Sequence, residues 1–87
     1  MVNERPDNSI RPDLPEFTCK NWEPARGGWI ALVDCDKERP RRRDAVVGDV
    51  MVNGYVRKCE GVEFNASDGP IKKGERIRLL LVGNQIG

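Results

Sequence analysis

Residues 46–59 read VVGDVMVNGYVRKC and contain the pattern from which the fold prediction starts. Every second residue from 46 to 52 is valine or glycine, and this period of two is that of a β-strand with one buried face. The pair Asn53-Gly54 follows, and because both residues tolerate a positive φ, such a pair is the strongest short signal for a β-hairpin. The sequence therefore predicts either two strands hinged at this pair or one long bent strand.

The chain on either side of this stretch is also β-like. Residues 29–34, WIALVD, form a short run of strand-forming residues, and residues 75–82, ERIRLLLV, form another. In the second run Ile77, Leu79 and Leu81 alternate and are expected to point inward.

Between these strands the chain is interrupted by turn-forming residues. The pair Glu60-Gly61 separates YVRKC from VEFNA, in which Val62, Phe64 and Ala66 are predicted to share one side. The turn SDGP, residues 67–70, follows, and Gly83-Asn84 is predicted to turn into a last short piece, QIG.

The N-terminal part has a different composition. Residues 1–27 hold four of the six prolines and show neither the strand period nor the helix period. Since proline lacks an amide donor and fixes φ, we expect an extended, partly disordered arm over residues 1–27, with a short edge strand within residues 15–22. Residues 28–87 are then the folded domain. Its short strands predict an all-β fold, a small five-stranded OB-like barrel, because closure removes exposed sheet edges.

Composition argues against an active site. The formal net charge is +1, there is no histidine, and the three cysteines, Cys19, Cys35 and Cys59, are scattered. A zinc site normally takes four ligands, and Cys35 lies between two aspartates that disfavour its thiolate. We therefore predict a protein that is not an enzyme, with no catalytic residues, no metal, no cofactor and no small-molecule substrate. Reduced thiols, with no apolar run long enough to cross a bilayer, are typical of a cytoplasmic-type compartment.

The C-terminal stretch EGVEFNASDGPIKKGERIRLLLVGNQI, residues 60–86, resembles the soluble OB-fold domain of NfeD-like proteins. Both share one succession of features: an acidic-glycine pair, an aromatic residue with a small polar residue and alanine, a charged pair with glycine, an apolar strand and a Gly-Asn turn. The likeness lies mainly over residues 54–87, and residues 28–34 match the family's first strand loosely. The longer link after that strand and the lack of transmembrane helices depart from the family.

The resemblance implies a non-enzymatic protein-interaction module. Such domains act with membrane scaffold proteins of the stomatin and flotillin type, or with membrane protease systems. The implied partner is a membrane-associated scaffold or larger complex. The implied location is cytoplasmic, as the soluble domain of a membrane-associated protein.

A second hypothesis is a single-stranded nucleic-acid-binding OB module, because the segment KERPRRR, residues 37–43, is a basic loop of the kind that neutralises phosphates. Exposed aromatic side chains would stack on bases. The solvated-loop and core-packing interpretations of the same residues stand beside it. For either partner, protein or nucleic acid, the candidate binding residues are Trp22, Trp29, Arg39, Arg41, Arg42, Arg43, Tyr55, Arg57, Lys72 and Lys73.

Overall fold

The computed structural model describes residues 14–83, and within them every regular element is a β-strand. Six strands follow one another along the chain: β1 (Glu16–Phe17), β2 (Cys19–Ala25), β3 (Gly28–Asp34), β4 (Gly48–Val52), β5 (Tyr55–Glu63) and β6 (Arg76–Val82). They form one mixed sheet in the order β1-β4-β5-β6-β3-β2. The pair β1–β4 is parallel and all other pairs are antiparallel.

The all-β prediction is confirmed for the described residues. This strand order has two edges, β1 and β2, so the closed five-stranded barrel stays a prediction. The two edge strands are nevertheless neighbours in the chain, with Thr18 alone between them.

The Asn53-Gly54 pair forms the predicted hairpin turn. Asn53 has φ 54° and Gly54 has φ 85°, and the turn joins β4 to β5 with Val52 opposite Tyr55. Of the two alternatives, the structure has two strands hinged at this pair, because two successive positive φ angles reverse the chain.

The pair Glu60-Gly61 is a bulge and not a turn. β5 runs unbroken from Tyr55 to Glu63, with a register shift against β6 between Cys59 and Gly61. The expectation that Val62, Phe64 and Ala66 share one side holds for Val62 and for Phe64, which packs on the core, and is wrong for Ala66. Val62 is fully buried, but the strand ends at Glu63, Phe64 is half-buried and Ala66 is exposed.

The predicted N-terminal arm contributes two strands to the sheet. Residues 16–17 pair with β4, and residues 19–25 form a hairpin with β3 around Gly27, whose φ is 81°. The expected boundary at residue 28 therefore falls inside a hairpin. Pro24 is accommodated because β2 is an edge strand, where a missing amide donor is tolerated. Residues 1–13 of the predicted arm lie outside the described residues. Of the predicted Gly83-Asn84 turn and the last piece, QIG, only Gly83 is among them.

Alternating side chains build a single core. The predicted inward positions are confirmed, since Val46, Val50 and Val52 are buried, as are Ile77, Leu79 and Leu81 of β6. The buried side chains are Phe17, Ala31, Val33, Cys35, Val46, Val50, Val52, Cys59, Val62, Ile71, Ile77, Leu79 and Leu81. This one cluster joins Phe17 of β1 to Val33 of β3, near opposite ends of the strand order. The sheet therefore curls around the core.

The hairpin of β2 and β3 places Gly28 tightly against β6. A Cβ atom on Gly28 would lie 1.9 Å from the backbone oxygen of Leu81, whereas a Cβ on Gly61 would meet its nearest atom at 3.4 Å. We expect Gly28→Ala to lower the free energy of unfolding by about 1 to 3 kcal/mol, because backbone must move to relieve the clash. Gly61→Ala, the control, is expected to stay within about 1 kcal/mol of the parent. Urea denaturation followed by far-UV circular dichroism measures both. Equal stability of the two variants would contradict this packing.

Candidate functional site

The predicted basic loop is a loop, but one of its arginines is an internal clamp. The Arg41 side chain is only 10% exposed and forms a two-pronged ion pair with Glu75, with Nη1 2.7 Å from Oε2 and Nη2 3.0 Å from Oε1. Its guanidinium also donates to the backbone oxygens of Asn65, Gly69 and Pro70 at 3.0–3.2 Å. All its nitrogens therefore have protein acceptors, which leaves none for a phosphate.

The same guanidinium covers an aromatic ring. Its central carbon lies 5.3 Å from the centroid of Phe64, which is half-buried against the core. Arg41 thus joins the loop after β3 to the segment between β5 and β6 through both charge and ring contact.

Arg39 is also turned inward. Its side chain is 11% exposed, pairs with Asp36 and lies 5.8 Å from the Phe17 centroid. Its backbone forms a two-way bridge with Ile71, with N–O distances of 2.9 and 2.7 Å. Of the four predicted arginines in this loop, Arg42 and Arg43 are the exposed ones, at 67% and 77%.

The remaining predicted residues are spread over several elements. Lys72 and Lys73 are exposed in the turn before β6, and Tyr55, at the start of β5, is 52% exposed. The Arg57 guanidinium carbon lies 5.5 Å from the Tyr55 centroid. This pair is the one place where the structure brings a predicted aromatic residue and a predicted cation together with an exposed ring.

The two tryptophans are partly enclosed. Trp22 on β2 is half-buried and packs on the core cluster. Trp29 on β3 is half-buried and faces Leu81 and Pro24 in the strand register. Their placement supports the core-packing interpretation more than base stacking, which needs an open ring face.

A surface that the sequence analysis missed lies on the outer face of β3 and β6. The cross-strand pairs there are Ile30 with Leu80, Leu32 with Arg78 and Asp34 with Arg76. Ile30, Leu32 and Leu80 are half-buried, and Val82 is 40% exposed. We call Ile30, Leu32, Leu80 and Val82 the outer apolar patch. A sequence signal for it exists, because IALV and LLLV are apolar at successive positions and not only at alternate ones.

Charges of both signs border the outer apolar patch. Arg76 donates to Asp34 at 3.2 Å, and Arg78 lies 3.9 Å from Glu23 on β2. These side chains are 38–58% exposed. The hydrogen bond from Arg76 is the main cause that lowers the pKa of Asp34, and Lys20 acts in the same direction.

A shallow groove runs beside the patch. It has a volume of about 330 Å³, and its lining residues are Leu32, Glu63, Phe64, Asn65, Arg76, Ile77 and Arg78. Its lining combines three apolar residues with both arginines, one glutamate and one asparagine, so apolar and charged side chains meet there.

The cysteines have the properties of packed thiols. Burial is the main cause that raises the pKa of Cys59 and also of Cys19. The Sγ of Cys59 lies 3.1 Å from the Gly61 oxygen, and that of Cys35 lies 2.9 Å from the Lys37 oxygen. A raised pKa keeps a thiol protonated at neutral pH, which is the opposite of nucleophile activation.

Two kinds of feature are absent from the described part of the chain. Residues 14–83 contain no group of three or more metal-ligating side chains close enough to hold an ion. Over the same residues no helix has the length and apolar character required to cross a membrane.

The clamp predicts a pH dependence of stability. The two hydrogen bonds from Arg41 are the main cause that lowers the pKa of Glu75, and the Lys72 amide assists while partial burial opposes. A lowered folded-state pKa stabilises the fold fully above the ordinary glutamate pKa of about 4.3, and this stabilisation is lost as the pH falls through the lower folded value. We expect Glu75→Gln to be less stable than the parent at pH 7, with the difference shrinking in acid.

Urea denaturation at a series of pH values measures this, with Glu38→Gln, at an exposed loop position, as the control. A Glu75→Gln difference that stays constant from neutral to acid pH would show that the carboxylate charge does not contribute to the clamp.

Comparison with family models, with curated protein sequences and with solved structures found no match to this chain.

Proposed function

We propose that this chain is a non-enzymatic protein-interaction module whose contact surface is the outer apolar patch. The observation that carries the proposal is that β3 and β6 are apolar on both faces over residues 30–32 and 79–82. Ala31 and Leu79 are fully buried in the core, while Ile30 and Leu80 form the opposite face. Strands with apolar residues on both faces are typical of sheets that are covered on both sides.

The border of the patch fits the same function. Protein interfaces combine a desolvated apolar centre with a polar, charged rim. Here Arg76 and Arg78 lie along one side, and Asp34 and Glu23 lie along the other. A contiguous apolar area with such a rim marks an interaction site more often than a patch of scattered apolar residues does.

We propose further that the sheet closes into a five-stranded barrel, with β1 and β2 acting as one bent strand. Contacts around their junction support this. The Asn53 amide donates to the Phe17 oxygen at 3.0 Å, and the Cys19 amide donates to the Asn53 side-chain oxygen at 2.9 Å. β3 pairs with β6 and not with β4, the next strand in the chain. The proposed likeness to an OB barrel therefore concerns the number of strands and the size of the barrel, and not the order in which the strands pair.

The resemblance to NfeD-like soluble domains supports the partner class. On that resemblance, we propose a membrane-associated scaffold or a membrane protease system as the setting, with the module on the cytoplasmic side. The resemblance rests on residues 54–87, and β6, one of the two strands that carry the patch, lies within that range.

A single-stranded nucleic-acid-binding module is the second candidate. The observation that favours it is the exposed ring of Tyr55 with the Arg57 guanidinium 5.5 Å from its centroid. Against it, Arg39 and Arg41 are engaged in internal ion pairs, so the basic loop offers Arg42 and Arg43.

Site-specific photo-crosslinking tests the leading proposal. A benzophenone amino acid at Val82, in the patch, is expected to form protein adducts in an extract of the source cells, whereas the same group at Lys73 is not. Adding Leu80→Glu to the Val82 probe is expected to abolish the adducts, because a carboxylate enters the desolvated centre. Equal adducts from both positions, or none from Val82, would overturn the proposal.

A fluorescence titration tests the second candidate. Tryptophan emission is followed while a mixed-sequence single-stranded oligonucleotide is added at about 50 and 200 mM salt, because counterion release makes such binding strongly salt-dependent. We expect no saturable change. Saturable quenching that weakens at the higher salt and disappears in the Arg42→Ala, Arg43→Ala double variant would instead establish the nucleic-acid module.

A further inference from the structure

We propose that the occupant of the outer apolar patch is a second copy of this chain, packed face to face about a two-fold axis. The axis runs between β3 and β6, parallel to the strands and in the plane of the interface. This inference rests on the proposed protein-interaction function and names its partner.

The apolar part of the patch is complementary to itself under this operation. A two-fold axis between two neighbouring strands places β3 of one copy over β6 of the other. Ile30 and Leu80 are register partners, so each faces the other across the interface, and the contact occurs twice. Two sheets can stack in this way at about 10 Å with their strands nearly aligned.

The charges are complementary to themselves under the same operation. Asp34 and Arg76 are also register partners, so the axis sets Asp34 of each copy against Arg76 of the other. Both side chains are exposed, Asp34 at 40% and Arg76 at 58%, and within one copy they pair with each other. The charge complementarity is that of this one pair, because Arg78 has Leu32 as its register partner and is set against Leu32 of the other copy.

Other occupants fit this pattern less well. A polyanion such as nucleic acid, or an anionic membrane surface, would meet Glu23, Asp34 and Glu63 together with the two arginines. A strongly acidic or basic protein would meet the same mixture. A second copy of this chain sets Asp34 against Arg76 at both symmetry-related contacts, so each of these charges meets one of opposite sign.

Sedimentation velocity over the micromolar to millimolar range tests association. We expect the parent to form a dimer with rising concentration. Leu80→Glu is expected to raise the dissociation constant by more than about tenfold, because an isologous interface receives the buried charge twice. Val47→Glu is the matched control, since Val47 is a 58% exposed apolar residue outside the patch, and it should leave the dissociation constant unchanged.

A charge exchange tests the axis. Arg76→Glu alone places Asp34 against Glu at position 76, and Asp34→Arg alone places Arg against Arg76, so each variant should associate more weakly than the parent. Mixing the two variants puts opposite signs together at both contacts and should restore dimers, as mixed ones. Circular dichroism spectra that match the parent's establish that each variant is folded.

The outcomes separate this inference from the function on which it rests. A parent that stays monomeric over the whole range, or a mixture that does not restore association, overturns the second copy as the occupant. Should the Val82 probe then still crosslink a different protein in a Leu80-dependent way, the protein-interaction function survives with another partner. Failure of both experiments overturns both proposals.

Discussion

The contact between Arg41 and Glu75 holds together the two longest irregular segments of the described chain. One segment lies between β3 and β4, and the other lies between β5 and β6. Their backbones meet at the bridge of Arg39 with Ile71 and at two hydrogen bonds of Cys35, one with Gly74 and one with Glu75. A planar guanidinium that serves a carboxylate and three backbone oxygens fixes their relative position with one side chain. Both segments contribute to the core, one through Val46 and the other through Ile71.

Local patterns were a good guide to the strands and a poor guide to the use of individual charges. Alternating apolar residues predict the buried sides of β4 and β6. Asn53-Gly54 predicts the hairpin that joins β4 to β5. Both signals act within a few residues of the chain. The Arg41–Glu75 contact spans 34 positions, so no local pattern reveals it. The arginine cluster of residues 39–43 therefore predicts an exposed basic loop, although two of its four arginines, Arg39 and Arg41, form internal ion pairs. The full length of β2 was not predicted either, because Pro24 argues against a central strand but is tolerated in an edge strand.

The outer apolar patch on β3 and β6 was also not predicted from the sequence. Period-two reasoning assigns alternate residues to the core and assumes that the others are solvated. That assumption fails for Ile30 and Leu80, which are apolar although they face away from the core. The unbroken apolar runs carried the information, but from sequence alone they indicate only a buried strand. Knowing which strands are neighbours turns two unrelated runs into one surface with a defined border.

The composition of β2 affects how this protein avoids uncontrolled association. An open sheet edge is a template for adding strands, and repeated addition leads to amyloid-like aggregates. β2 carries three features that blunt such a template: a proline at position 24, a charged Lys20, and a register irregularity between Cys19 and Asn21. The sheet edge at β2 is therefore irregular and charged, whereas the outer apolar patch on β3 and β6 beside it is apolar. Fibre growth by strand addition at β2 is therefore disfavoured, whichever partner covers the outer apolar patch.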